Sequence, residues 1–230
     1  MSQQLVTTGI VLRRVDYGEA DRILTLLTPN YGKLQLMAKG VRRIKSKLAG
    51  GIELFSVTNV TFIRGRGDIG RLVSTRLVTH YGGIVQDLNR TMLGYELISQ
   101  LNKATEDEPE TDYFHLLEAA FAALNDPDIP CELIQEWFTA QLLRLSGHTP
   151  NLQTATGGAR LRADLAYEYS FDDAAFVARD GAPYGADAIK FLRLMFSGHS
   201  PSVLVKVAGA EQLVAGTKQL VSLLAQQYSH

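Results

Sequence analysis

Residues 38–55 read AKGVRRIKSKLAGGIELF, and positions 39 to 47 carry five cations, Lys39, Arg42, Arg43, Lys45 and Lys47, with no carboxylate among them. Clustered Lys and Arg do one kind of chemistry well, which is to grip phosphates by charge with little regard for base sequence. An ordinary solvated loop can have the same composition, so the rest of the chain must decide. The formal net charge is only −1, but it is unevenly divided. Residues 1–76 hold 13 Lys and Arg against 5 Asp and Glu, a balance of +8, and residues 77–230 hold 10 against 19, a balance of −9. Such asymmetry is a sign of nucleic-acid or membrane contact by the basic part. Arg13, Arg14, Arg22, Arg64, Arg66, Arg71 and Arg76 lie in the same third of the chain, as do four aromatic residues, Tyr17, Tyr31, Phe55 and Phe62. Tyr17 and Tyr31 stand in turn signals and are the better candidates to stack on exposed bases. At least two of the four read as core.

Other candidate chemistry is weaker. Residues 65–70, GRGDIG, match the glycine pattern of dinucleotide sites, but a β-branched run, RLVSTRLVT, follows where that motif needs a helix. A hairpin turn is the better reading. The acidic run EDEPETD, residues 106–112, lacks the spacing of a calcium loop and reads as a solvated connection between helices. The five histidines are scattered, and no nucleophile elbow occurs. Cys131, the single cysteine, excludes an internal disulfide or a cysteine zinc cage and suits a reducing compartment. No catalytic set, metal site or cofactor is expected. With no signal sequence and no apolar run of about eighteen residues, the chain is expected to be cytoplasmic and off the membrane.

The elements that must carry the basic segment change character near residue 80. Before it, LVTTGIVLRRV, RILTLLT, KLQLMAKG, LFSVTNVTFIR and RLVSTRLVT read as five strands, separated by DYGEAD, PNYG, the basic loop and GRGDIG. Five strands in so short a span suggest a small barrel, and one architecture of that size is the OB-fold, whose exposed strand face and loops bind oligonucleotides or oligosaccharides. Alternation in the third strand sends Leu34, Leu36 and Ala38 inward and Lys33, Gln35, Met37 and Lys39 outward. After residue 80 the period becomes helical. Leu88, Met92, Tyr95 and Ile98 form one expected buried stripe, and Ile134, Trp137, Phe138, Leu142 and Leu145 another, with Pro130 in a first helical turn and a stop at Gly147 and Pro150. A small hairpin is expected within 165–178, turning at Asp172 and Asp173, and helices near 186–197 and 209–228. The expected fold is α+β: an OB-fold barrel over 1–80, then a mainly helical domain over 81–230.

The order GIVL, YGEADRILTLLT, YGK, AKGVRRIKSKL and GDI closely resembles the N-terminal domain of the RecO family of bacterial recombination mediators. The likeness continues more thinly through DLNRTMLGYELISQL and WFTAQLLRLSGHTP. It implies a non-enzymatic protein, near the nucleoid, that binds single- and double-stranded DNA and anneals complementary strands. It also implies partners: RecR, with which RecA is loaded, and the acidic C-terminal tail of single-stranded DNA-binding protein, received by the helical domain. By position, the resemblance assigns DNA contact to Lys39, Arg42, Arg43 and Lys47, whereas Lys33, Lys45 and Arg66 are added on charge alone. Relatives often carry a zinc-binding cysteine cluster after the helix ending LSGHTP; here TPNLQTATGGARLRAD has no cysteine, and zinc is expected to be absent. Two other readings stand beside this one: an OB-fold adaptor that docks an acidic protein, and a metal-dependent nucleic-acid enzyme using the carboxylates of 106–112.

Overall fold

A computed structural model describes residues 3–65, 67–105 and 111–228. The chain divides into two compact units, Met1–Asp126 and Pro127–His230. In the first, five strands close a barrel: β1 (Gln4–Tyr17), β2 (Asp21–Thr28), β3 (Gly32–Ala38), β4 (Ser56–Ile63) and β5 (Ile69–His80). Their order around the barrel is β1-β2-β3-β5-β4. All pairs are antiparallel except β3 and β5, which run parallel over Gln35–Met37 and Ile69–Arg71. This is the OB-fold topology, and the five expected strands are all present. Alternating apolar residues fill it, among them Leu24, Leu26, Leu36, Val60, Phe62 and Leu72. Each such side chain removed from water contributes roughly 2 kcal/mol.

Between Val11 and Arg13 the β1 register shifts by one residue. At this bulge Val11 and Leu12 are both buried, Val11 in the barrel core, and Arg13, Val15 and Tyr17 are exposed. Just before β4, Phe55 adopts a left-handed conformation, φ 55°, uncommon for a bulky residue. Its ring packs edge-on against Phe121 and Tyr95, each with centroids 5.3 Å away.

Two helices complete this unit, α1 (Leu88–Ala104) and α2 (Thr111–Leu124). The Asp87 side chain caps α1, accepting from the Arg90 amide at 3.0 Å. The helix turns a different face inward from the expected stripe. Leu88, Met92 and Tyr95 are 73%, 62% and 49% exposed, and only Ile98 of that set is buried. The buried face is Leu93, Gly94, Leu97, Ile98 and Leu101. On that face Phe55 lies so close that a Cβ on residue 94 would be 2.6 Å from its Cε1, so glycine is the residue that fits there.

The second unit contains α3 (Cys131–Leu145), a hairpin of β6 (Tyr167–Ser170) and β7 (Ala175–Ala178), then α4 (Ala186–Met195), α5 (Pro201–Leu204) and α6 (Ala210–Gln227). The expected hairpin and both late helices are present. Pro130 is the cap residue before α3 rather than part of its first turn. Ile134, Trp137 and Phe138 are buried as expected, but Leu142 and Leu145 are half-buried and Leu143 is the core residue of that last turn. The helix ends in a Schellman motif. Gly147, at φ 80°, donates its amide to the Arg144 carbonyl, and His148 donates to that of Leu143 at 2.8 Å.

Residues 151–166 are tied down by local hydrogen bonds. Asn151 Oδ1 accepts from the amides of Gln153 and Thr154, and the Arg162 amide donates to the Tyr167 hydroxyl at 2.7 Å. Beneath them Tyr167, Tyr169 and Tyr184 pack edge-on around Phe176. Among the described residues no group of three or more His, Cys, Asp or Glu is arranged to hold a metal ion, and no helix is long and apolar enough to cross a membrane.

Candidate nucleic-acid interface

The basic loop leaves the end of β3 through Gly40, whose φ of 66° turns the chain sharply. Its two ends are anchored. Val41 is buried in the barrel core and Leu48 packs against it. The Gly40 amide donates to Asp21 Oδ1 at 2.7 Å, and the Arg42 amide to the Ala20 carbonyl at 3.0 Å. Two successive turns, closed by Arg43 N to Gly40 O and Ser46 N to Arg43 O, define the stretch between. Lys39, Arg42, Arg43, Lys45 and Lys47 are all exposed on this frame. Among the described residues, Lys39, Arg43, Lys45 and Lys47 have no carboxylate partner.

Arg42 ties the loop to the β1–β2 hairpin. Its Nη1 donates to the Gly18 carbonyl at 3.4 Å, and its Nε lies 3.6 Å from Asp16 Oδ2. Asp16 also accepts from Arg22 at 2.7 Å. That hydrogen bond, with the positive fields of Arg42, Arg22 and Arg14, holds the Asp16 carboxyl below the usual carboxylate range despite the opposing effect of its surroundings. One carboxylate thus offsets part of the positive charge on two arginines, and Arg14 is paired separately with Glu53 at 2.7 Å. Tyr17, 56% exposed, stands beside Gly18 on this same hairpin, so the fold brings it to the basic loop.

Lys33 and Tyr31 are placed differently. Lys33 Nζ donates to the carbonyls of Asn102 at 3.2 Å and Thr105 at 2.8 Å, the end of α1, where a cation complements the unpaired carbonyls and the helix dipole. Tyr31 packs edge-on against Phe62 with centroids 5.5 Å apart, and the Arg64 guanidinium lies 5.5 Å over its ring. Its stacking capacity is used within the barrel. Arg66 and residues 106–110 lie outside the described residues.

The strand registers create a further surface that alternation in β1 alone does not reveal, because the bulge inverts its sense. Across β1, β2, β3 and β5 the residues Val15, Ile23, Met37 and Arg71 lie opposite one another in one row, with Arg13, Thr25, Gln35 and Ile69 in the next. Half-exposed apolar side chains therefore run between two arginines and lead along β3 toward Lys39. The expected turn falls between the antiparallel β4 and β5, with Ile69 and Gly70 already in β5 and a cleft of about 330 Å³ nearby lined by Leu34, Phe62, Arg64, Asp68 and Gly70 among others. The arrangement sets exposed positive charge beside half-exposed apolar surface.

Residues 1–81 match the protein family described as "Recombination protein O N terminal". Over longer spans the chain is similar to curated proteins named "DNA repair protein RecO". The protein of Dehalococcoides mccartyi is 30% identical over 205 residues, covering 86% of this chain and 80% of its own length. That of Halalkalibacterium halodurans is 31% identical over 199 residues, 82% of this chain and 76% of its own. The Trichodesmium erythraeum protein is 40% identical over a shorter span of 120 residues, 51% of this chain and 41% of its own.

Proposed function

The chain belongs to the RecO family, and from that premise we propose that it is a DNA-binding recombination mediator whose barrel grips phosphates through the basic loop. The observation that carries this reading is the set of exposed cations, Lys39, Arg43, Lys45 and Lys47, held on a loop anchored at both ends and without carboxylate partners among the described residues. Its relatives are named as DNA repair proteins, and the same role is inferred here, in the cytoplasm alongside the chromosome. The work requires no bond to be made or broken. Two complementary strands repel, and a cationic surface that neutralises both lets them approach and pair. Loading of RecA with RecR, and capture of the acidic tail of single-stranded DNA-binding protein by the helical unit, complete the proposed role. They follow from the family and not from a site described above.

The test is annealing of complementary oligonucleotides, with DNA affinity measured as a function of salt. If roughly five phosphates are neutralised on a single strand, log K against log salt has a slope near −3.5. Arg42→Ala/Arg43→Ala should lower that slope by about 1.4 and slow annealing at every salt concentration. Equal rates for wild type and variant would remove the loop from the mechanism. Loss of a protein complex with DNA affinity unchanged would favour an adaptor that docks an acidic partner.

A further inference from the structure

We infer that Ile44 is a wedge that enters between adjacent bases of a bound single strand, an inference that rests on the DNA-binding reading above. Ile44 is the most exposed of the large apolar side chains described, with none of its surface covered by the protein. It occupies the first central position of the turn closed by Ser46 N to Arg43 O, where polar or small residues are the usual choice. The loop itself alternates: Val41 is buried, Ile44 points out, and Leu48 packs back on the barrel. The tip is therefore presented from a frame fixed on both sides rather than left on a loose excursion.

The neighbours of the tip decide what it meets. Arg43 and Lys45 flank it, and Lys39 and Lys47 lie beyond, all exposed and without carboxylate partners among the described residues. A ring of cations favours a polyanion over an apolar protein groove. When those cations rest on consecutive phosphates, the residue between them faces the bases. Branched apolar side chains inserted at base steps unstack them, as in proteins that kink DNA. On a single strand the insertion needs no pairing to be broken. Tyr17, on the hairpin that Arg42 ties to the loop, supplies a ring on which a displaced base can stack.

The experiment compares wild type, Ile44→Ala and Arg42→Ala/Arg43→Ala on an ordinary single-stranded oligonucleotide and on an abasic one of equal length. A 2-aminopurine probe in the ordinary strand reports unstacking. Ile44→Ala, which removes only exposed atoms, should keep the wild-type fold and salt slope. It should bind the ordinary strand roughly tenfold more weakly, as loss of much of one buried isoleucine implies. It should bind the abasic strand like wild type and lose the rise in 2-aminopurine fluorescence. Unchanged affinity and fluorescence would overturn the wedge while leaving the phosphate grip intact, provided the double arginine variant still loses affinity. Equal weakening on both strands would also overturn it, as would loss of a protein complex with DNA binding untouched. If the double arginine variant binds like wild type, the underlying reading fails whatever Ile44 does.

Discussion

Glu136 in α3 is 4% exposed, with Oε1 accepting from the Thr217 hydroxyl at 2.6 Å and Oε2 buried without a hydrogen-bond partner among the described residues. Burial pushes its pKa up to about 7, against the smaller opposing effects of the Thr217 hydrogen bond and the Lys218 charge. Because the folded value lies above the ordinary 4.5, stability is full at low pH, where both states are protonated. It falls as pH rises from about 4.5 through about 7, since the unfolded chain releases the proton first. Urea unfolding should show a loss on the order of 3 kcal/mol between pH 4 and pH 8 attributable to this group. Glu136→Gln should flatten that dependence and be the more stable protein at pH 8; a wild-type curve that rises over this interval would refute the assignment. Asp16 behaves oppositely. Its depressed pKa keeps it ionised among Arg22 and Arg42, so Asp16→Asn should raise affinity for DNA and steepen its salt dependence in a titration, without any new contact.

Among the elements, α1 and the barrel are fastened by two features with different consequences. Gly94 lies under the Phe55 ring, and Gly94→Ala would place Cβ 2.6 Å from Cε1. Its cost should be about 1–3 kcal/mol in equilibrium unfolding, as for other overpacked cores. In a Phe55→Ala background the added cost should disappear, because the obstacle is that ring. At the other end of α1, Lys33 serves the last carbonyls of the helix. Lys33→Met should therefore cost about 0.3–1 kcal/mol of stability and leave the salt slope for DNA unchanged; a lowered slope would show that Lys33 leaves the helix to meet phosphate. The helix also shows why periodicity misjudged its face. Leu88, Met92 and Tyr95 have the spacing of a buried stripe, but so do Leu93, Leu97 and Leu101 on the opposite side. A helix apolar on two faces has no unique inward direction until a neighbour supplies one.

Across the whole molecule, a nearly neutral chain keeps its positive excess in the first third and its negative excess in the remainder. Acetylation footprinting should therefore show Lys39, Lys45 and Lys47 protected by single-stranded DNA while Lys190, Lys206 and Lys218 stay as reactive as in the free protein. Uniform protection would mean that binding is spread over both units. Much of this was legible in the sequence. Strand boundaries, the β4–β5 turn and the late hairpin follow from local alternation and from Gly, Asp and Asn at turns, which act over a few residues and do not depend on what lies opposite. The charge division is legible for the same reason, since it is a sum along the chain. What only the tertiary structure decided are matters of pairing across distance: that the β1 bulge turns Arg13, Val15 and Tyr17 outward, that Lys33 is taken by a helix end some seventy residues away, and that Ile44 stands clear between Val41 and Leu48, which both pack on the barrel. A cation in the sequence announces its charge, but whether that charge is spent on a carbonyl, a carboxylate or solvent is set by the groups that folding brings within about 3 Å of it.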